Sequence, residues 1–443
     1  MKLTDKDRQE RIAFLEQLIR IPSVKGDACD QAPFGAATLE ALEAFLAKAK
    51  ADGFRTKVID GKVGYLEFGP DTATTPLLAA VCHLDVVPAG DWQQAFEPQL
   101  VDGHMVGRGS IDDKGPAVAA YFGLKRLLQQ GYEPKCKLRL ILGLDEESGS
   151  DCMKRYAETE QLPAAAFTPD AEFPVIHAEK GLLQFSLGLS WSETAAPDAR
   201  LTLLEARAGT RPNVVPGVCQ LTWRLPDGSL EPETVMGVMG HASLPQDAEN
   251  AISKAMEQAY LRLAAAGLSQ PWLDFYHERI GTRYDGSLMG LAGADAVSGP
   301  LTFNAGVLQL DAQQARLTCD IRYPVTWDVA ELRQKIRSAC EPYGVEYIED
   351  HHSAPLYLSK DQPLVAILTR IYNEQTGEQA EPIAIGGGTY ARSLPNTVAF
   401  GPVFPGQPGV CHQTGEYADL ASLERSEAIY TEAFRQLDQA FAH

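Results

Sequence analysis

His83, Asp112, Glu147, Asp170 and His412 are the residues of this chain whose types and settings suit metal chemistry. All but His412 stand at, or just past, the end of an apolar run, beside a Gly, Pro or Asp that would turn the chain. His83 follows Leu77-Leu78-Ala79-Ala80-Val81 and opens His83-Leu84-Asp85. Asp112 lies in Gly107-Arg108-Gly109-Ser110-Ile111-Asp112-Asp113-Lys114-Gly115. Glu146 and Glu147 follow the run from Leu138 to Leu144, and Asp170 follows Ala164-Ala165-Ala166-Phe167. Imidazoles and carboxylates raised on strand ends supply the nitrogen and oxygen donors of a hydrolytic metal centre, which also needs an open position for water.

Local pattern divides the labour within this set. One bridging carboxylate with two further donors per ion makes a two-metal site, the ions about 3.5–4 Å apart. Asp112, at a sharp glycine-rich turn that opens a helix, is best placed to bridge. Asp85 is two residues after His83 and so on the same side of a strand, where it could fix the imidazole tautomer. Glu146 and Glu147 are adjacent carboxylates, one able to ligate while the other takes a proton from water. Read singly, each has a plainer explanation: a packed histidine, an N-cap at Asp112-Asp113, a solvated loop, a turn at Asp170. Their joint occurrence at successive strand ends carries the chemistry.

The elements that must position them alternate over the first 180 residues. Helical spacing runs from Arg8 to Ile21, from Ala36 to Lys50 and from Lys114 to Gln130. Strand patterns cover Thr56–Ile59, Val63–Phe68, Leu77–Val81, Lys137–Leu144 and Ala164–Thr168. This order predicts an α/β fold with a mostly parallel sheet. After Lys180-Gly181 the texture changes to two rounds of strands followed by a helix, an inserted and doubled α+β lid over 181–355. The remainder, 356–443, brings a helix, the Gly386-Gly387-Gly388 turn, a strand, His412 and a last helix back to the first domain. The expected domains are therefore a discontinuous catalytic one, 1–180 with 356–443, and the lid. At 443 residues, two domains are the natural expectation.

Composition narrows the class. A formal net charge of −20 argues against nucleic acid and anionic membrane surfaces as partners. No apolar run is long enough to span a bilayer, and the charged start, Met1 to Arg8, lacks a signal-like stretch, so a cytoplasmic enzyme is expected. Eight cysteines without any Cys-x-x-Cys suit neither a disulfide scaffold nor a zinc–thiolate site. Cys82 and Cys411, which precede His83 and His412, read as buried packing residues. The absence of a Gly-x-Ser-x-Gly elbow disfavours a serine hydrolase.

Leu18-Ile19-Arg20-Ile21-Pro22-Ser23-Val24, His83-Leu84-Asp85-Val86-Val87-Pro88, Gly107 to Gly115, Asp145-Glu146-Glu147-Ser148-Gly149 and Thr168 to Pro174 resemble the signature blocks of the co-catalytic zinc metallopeptidases. That family includes aminoacylases, carboxypeptidase G, desuccinylases and PepV-type dipeptidases. The resemblance implies that His83 and Asp170 hold one zinc, Glu147 and His412 the other, with Asp112 bridging. Mn2+ or Co2+ would be substitutes. It implies Glu146 as general base, Asp85 orienting His83, and a cis peptide between Asp112 and Asp113. In the lid, Gly240-His241-Ala242-Ser243 resembles the block whose histidine polarises the scissile carbonyl. Asn213, in Arg211 to Pro216, matches the residue whose amide touches the same oxyanion. Arg322, in Cys319 to Val325, matches the arginine that grips the substrate carboxylate. Ile385 to Arg392 resembles the Ile-Gly-Gly-Gly-Thr run with which dipeptidases line the substrate pocket, placing Gly387, Gly388 and Thr389 at the substrate.

The phrases around Asp170, Arg322 and Gly386, and the lid length, lean towards the PepV-like branch. That branch implies a dipeptidase acting on small peptides with a free C-terminal carboxylate, and a lid that supplies His241 within one chain implies a monomer. An N-acyl amino acid deacylase or desuccinylase of the same family is the alternative. A metal-binding relative without catalysis would not need Glu146 beside a complete ligand set. No function attaches to 271–299 from sequence.

Overall fold

The computed structural model describes residues 5–191 and 200–442. Met1–Thr4 of the N-terminal reading and His443 of the closing segment lie outside the described residues. The packing of the backbone divides the chain into two units. The first is Met1–His177, Leu358–Ile383 and Gly388–His443; the second is Ala178–Tyr357 with Ala384–Gly387.

Buried apolar runs make the centre of the first unit. Every residue of Leu77–His83, Lys137–Gly143 and Ala165–Thr168 is buried, as expected of strands covered on both faces. Leu77–His83 pairs in parallel with both of the others, and Thr397–Phe400 extends the parallel block beyond Ala165–Thr168. Parallel pairing stops there. On one flank Arg55–Ile59 and Val63–Phe68 form a hairpin that joins Lys137–Gly143 antiparallel. On the other flank Val175–Glu179 runs antiparallel to Thr397–Phe400. The hairpin follows from its link. Asp60 and Gly61 both have positive φ, 49° and 64°, and Lys62 N–H closes on the Ile59 carbonyl at 2.9 Å. So tight a turn can only return the chain beside itself. A Cβ on Gly61 would also stand 1.8 Å from the Gln31 carbonyl oxygen.

Helices cover this sheet through the stripes read from sequence. Phe14, Phe45 and Tyr121 meet edge to edge where Asp5–Ile19, Ala36–Ala51 and Lys114–Gln129 come together. The last helix, Leu420–Phe441, packs along Lys114–Gln129, and Gly123 lets the backbone at Glu427 and Thr431 approach. Charge is paired in the same layer. Lys125 Nζ lies 2.8 Å from Asp52 and 2.6 Å from Glu10, and Lys48 Nζ reaches the same carboxylates at 2.7 and 2.5 Å. Burial pushes Asp52 upward, but hydrogen bonds from Lys125, Lys48 and Tyr121 outweigh it and hold the carboxyl down at about 2. A carboxylate depressed on folding stabilises above its unfolded value and loses that contribution as pH falls through the folded one. Between about pH 4 and 2 the melting temperature of the protein should therefore fall more steeply than that of Asp52→Asn. Parallel acid limbs in the two proteins would deny the network this role.

The second unit is built on one seven-stranded antiparallel sheet. Its order is Leu230–Met236, Val218–Arg224, Thr202–Ala208, Thr302–Leu310, Gln314–Tyr323, Gly181–Ser190 and Glu346–Ser353. Both strand-then-helix rounds share it: Thr202–Ala208 meets Thr302–Leu310, and Gly181–Ser190 of the first round lies between Gln314–Tyr323 and Glu346–Ser353 of the second. Residues from Ala251–Ala265, Pro271–Arg279 and Val329–Cys340 enter one apolar core with those strands. Trp272, Phe275, Tyr276, Met289 and Leu291 belong to that core, so 271–299 packs the unit. Among the described residues no helix is long and apolar enough to cross a membrane.

Candidate metal centre

Parallel pairing decides where the chemistry lies. Strands that run the same way end at the same edge of a sheet, and open α/β sheets bind ligands at that carboxyl edge. His83 is the last residue of its strand. Glu146 and Glu147 follow the end of Lys137–Gly143 in a single tight turn, and Asp170 stands two residues past Ala165–Thr168. Asp112 arrives from the glycine-rich loop that opens the Lys114–Gln129 helix, after which the Asp112–Asp113 peptide is cis.

The side chains converge on Asp112. Its Oδ1 lies 3.0 Å from His83 Nε2 and its Oδ2 2.9 Å from His412 Nε2. His412 Nε2 is also 3.0 Å from Glu147 Oε1, and His83 Nε2 is 3.8 Å from Asp170 Oδ2. Ligand atoms of His83, Glu146 and Asp170 fall within 4.8 Å of one another, as do those of His83, Asp112 and Glu147. His412 is held at a φ of 65°, a left-handed conformation that a residue with a Cβ adopts at some cost.

The electrostatics are those of crowded negative charge. Burial disfavours a proton on His83, yet Asp112, Asp170 and Asp85 raise its pKa well above the usual imidazole value. Hydrogen bonds to Asp112 and Glu147 carry His412 up to about 10. Burial and the carboxylate of Asp170 push Glu146 well above the ordinary range, and burial takes Asp170 up to about 6. Positive charge placed among these groups would relieve the repulsion between the carboxylates. One carboxylate directing each of its oxygens at a different imidazole, with a further carboxylate beside each ring, is a donor set that fits two divalent cations.

Partners behind the donors explain several sequence blocks. His83 Nδ1 lies 2.8 Å from the backbone oxygen of Asp85 and 3.5 Å from its carboxylate. That carboxylate also accepts the N–H groups of Glu146 and Glu147, each at 3.1 Å. Asp85 thus fixes the loop of both glutamates, a task its spacing from His83 did not reveal. Ser23 Oγ donates to the Leu84 carbonyl at 2.6 Å, and buried Lys114 donates to Leu18 O and Ile21 O at 2.8 Å each. Asp145 accepts N–H groups from Asp151 and Cys152. The ring of Tyr390 stands edge-on to His83 with centroids 6.0 Å apart. Cys82 is buried in its strand as expected. Cys411, by contrast, lies on an exposed loop rather than in packed structure.

The second unit brings the other expected residues into two groups. Asn213 O accepts Ala242 N–H at 3.0 Å, and Val214 pairs with His241. Asn304 Nδ2 holds that loop through Pro212 O and Val214 O. Ser243 N–H donates to His241 Nδ1 at 3.2 Å, with Ser243 Oγ at 2.6 Å from the same atom. A ring nitrogen that accepts an N–H has no proton of its own, so neutral His241 carries its hydrogen on Nε2. Burial and the nearby Arg322 keep the ring below its usual pKa. Arg322 is itself committed, with Nε and Nη2 on Asp320 at 2.6 and 3.1 Å and Nη1 on the Gly386 carbonyl at 2.8 Å. Gly387 belongs to the second unit, Gly388 and Thr389 to the first. Thr389 Oγ1 accepts Ala391 N–H and so caps the turn that follows.

The profile of Peptidase family M20/M25/M40 matches residues 79–436. The chain belongs to that family. As an M20/M25/M40 member it is a hydrolase and a metallopeptidase, and the family implies divalent metal. It is 33% identical over 465 residues to a Bacillus subtilis (strain 168) protein named "Putative dipeptidase YtjP", with 98% of each chain covered. Its fold resembles the aminoacylhistidine dipeptidase of Vibrio alginolyticus, with a TM-score of 0.64, 14% identity and 96% of both chains covered. Human carnosine dipeptidase 1 gives a TM-score of 0.62 at 13% identity, covering 98% of this chain and 97% of that one. At such identities the M20/M25/M40 structures speak for the fold alone. They match the α/β catalytic and lid architecture expected from the sequence.

Proposed function

We propose that this chain is a dipeptidase that cleaves the peptide bond of small peptides with a free C-terminal carboxylate. One observation carries the reading: Asp112 offers one oxygen to the His83 side and the other to the His412 side. His83 and Asp170 would hold one Zn2+, Glu147 and His412 a second, and Asp112 both. Bound there, the two cations would acidify a water and polarise the scissile carbonyl. Glu146 takes the proton of the attacking water and returns it to the leaving amine. His241, with hydrogen on Nε2, and the amide of Asn213 donate to the developing oxyanion. Arg322 is assigned to the substrate carboxylate through the guanidinium hydrogens that Asp320 and Gly386 leave over, and the Gly387-Gly388-Thr389 backbone to the substrate main chain. The chain is proposed to act as a cytoplasmic monomer.

The test is a side-by-side turnover measurement on metal-loaded protein with dipeptides and N-acyl amino acids. Preference for dipeptides is expected, and preference for acyl amino acids would replace this reading with deacylation. A smaller effect follows from the Ser243 hydroxyl, since alanine keeps the backbone N–H on Nδ1 and removes only Oγ. Ser243→Ala should lower kcat about 3- to 10-fold, the worth of one hydrogen bond, with KM little changed. An unchanged kcat would remove His241 from the reaction or Ser243 from its support.

A further inference from the structure

The loop that carries Asp112 and the loop that carries His412 are tied by one buried carboxylate. Glu416 is fully buried and Arg108 nearly so. Glu416 Oε1 accepts the N–H groups of Gly109 at 2.9 Å and Ile111 at 3.3 Å, and Oε2 accepts Arg108 Nη1 at 2.5 Å. Its own carbonyl takes Gly107 N–H at 2.9 Å. From the same guanidinium, Nη2 reaches the carbonyl of His412 at 3.3 Å. Both loops spring from neighbouring strands, since Tyr417–Asp419 pairs with His104–Val106. Glu416 therefore closes a frame with Asp112 on one arm and His412 on the other.

We infer that Glu416, with Arg108, is a positioning residue for the metal centre that sets the spacing between Asp112 and His412. The inference rests on the two-ion reading above. A carboxylate suits this place because its hydrogen-bond partners in the frame are donors: two amide N–H groups and a guanidinium. Gln would turn its NH2 towards one of them, donor against donor, whichever way it lay. Asp would keep the charge but draw the oxygens back from the loop. Neither side chain touches the proposed donor atoms, so the effect travels through the two backbones. His412 is expected to serve only one of the two ions, whereas Asp112 serves both. Loss of the frame should therefore weaken the two ions unequally.

The measurement is Zn2+ uptake by metal-stripped protein in competition with a chromophoric chelator, for the unaltered chain and for Glu416→Gln. The unaltered chain is expected to take two Zn2+. Glu416→Gln should hold one of them about 10- to 100-fold more weakly, as loss of an orienting partner does, and the other nearly as before. Equal affinity for both ions in the two proteins would overturn the inference while leaving the two-ion reading intact. Failure of the unaltered chain to bind two ions would instead remove the reading beneath it. Should metal-stripped Glu416→Gln not fold, Glu416→Asp takes its place with the same expectation. If neither folds, or both ions weaken to the same degree, Glu416 serves the fold in general and the assignment is wrong.

Discussion

Glu146→Gln should lower kcat about 100- to 10,000-fold, the range a positioned general base contributes, with both metal ions retained. Its amide N–H is held by Asp85 Oδ1 at 3.1 Å, so the loop keeps its course when the side chain changes. The carboxylate lies among the donor atoms of His83 and Asp170. Burial and the charge of Asp170 hold its carboxyl above the ordinary range. Gln preserves volume and polarity but cannot take a proton. Because the group acts on a proton that moves only in the reaction, kcat and kcat/KM should fall together. Steady-state kinetics with metal content measured on the same samples decides the matter. A loss under about tenfold at full metal content would discard Glu146 as the base.

Asp112→Asn should cost at least one of the two ions and lower activity more than about 100-fold, beyond what loss of a partner behind a ligand costs. An amide has one oxygen and one NH2. Whichever way it turns, it presents a donor to the His83 side or to the His412 side, where the carboxylate now presents oxygens at 3.0 and 2.9 Å. Metal content after dialysis reports the loss directly. The melting temperature of the metal-stripped variant separates it from unfolding. Two ions held as tightly by Asp112→Asn as by the unaltered chain would end the bridging assignment.

Much of the first unit could be read from sequence because its strands are buried on both faces. Residues 77–82, 140–143 and 165–167 are apolar stretches of those strands, and a ligand-type residue follows each within a few positions. Where burial is one-sided the signal fades. Leu230–Met236 carries Pro232 and pairs on one side only, through Val218–Arg224, and its exposed alternation resembles a loop. Val175–Glu179, between Pro174 and Lys180, is buried throughout yet carries His177 and Glu179, so neither an apolar run nor an alternation marks it. The amphipathic helix Asp151–Thr159 follows a glycine turn and buries only Cys152, Met153 and Tyr156.

At the site, residue types were legible and partners were not. The spacing of Asp85 from His83 pointed at the ring, which its carboxylate faces at 3.5 Å, but gave no sign that the same oxygens hold amides some sixty residues on. The pair Asp320 and Arg322 is two positions apart on one strand, hence on one face. Their ion pair was open to the same reasoning that linked His83 and Asp85. Glu416 offered no such hint. Its contacts span about three hundred residues, and nothing near His412 distinguishes a buried carboxylate from a surface one.

The most direct test of the shared carboxylate is a crystal structure of the Zn2+-loaded protein with anomalous scattering collected at the zinc edge. Two peaks about 3.5–4 Å apart are expected, each within bonding distance of a different oxygen of Asp112, one beside His83 and the other beside His412. A single peak, or two peaks with Asp112 bound to only one of them, would contradict the account.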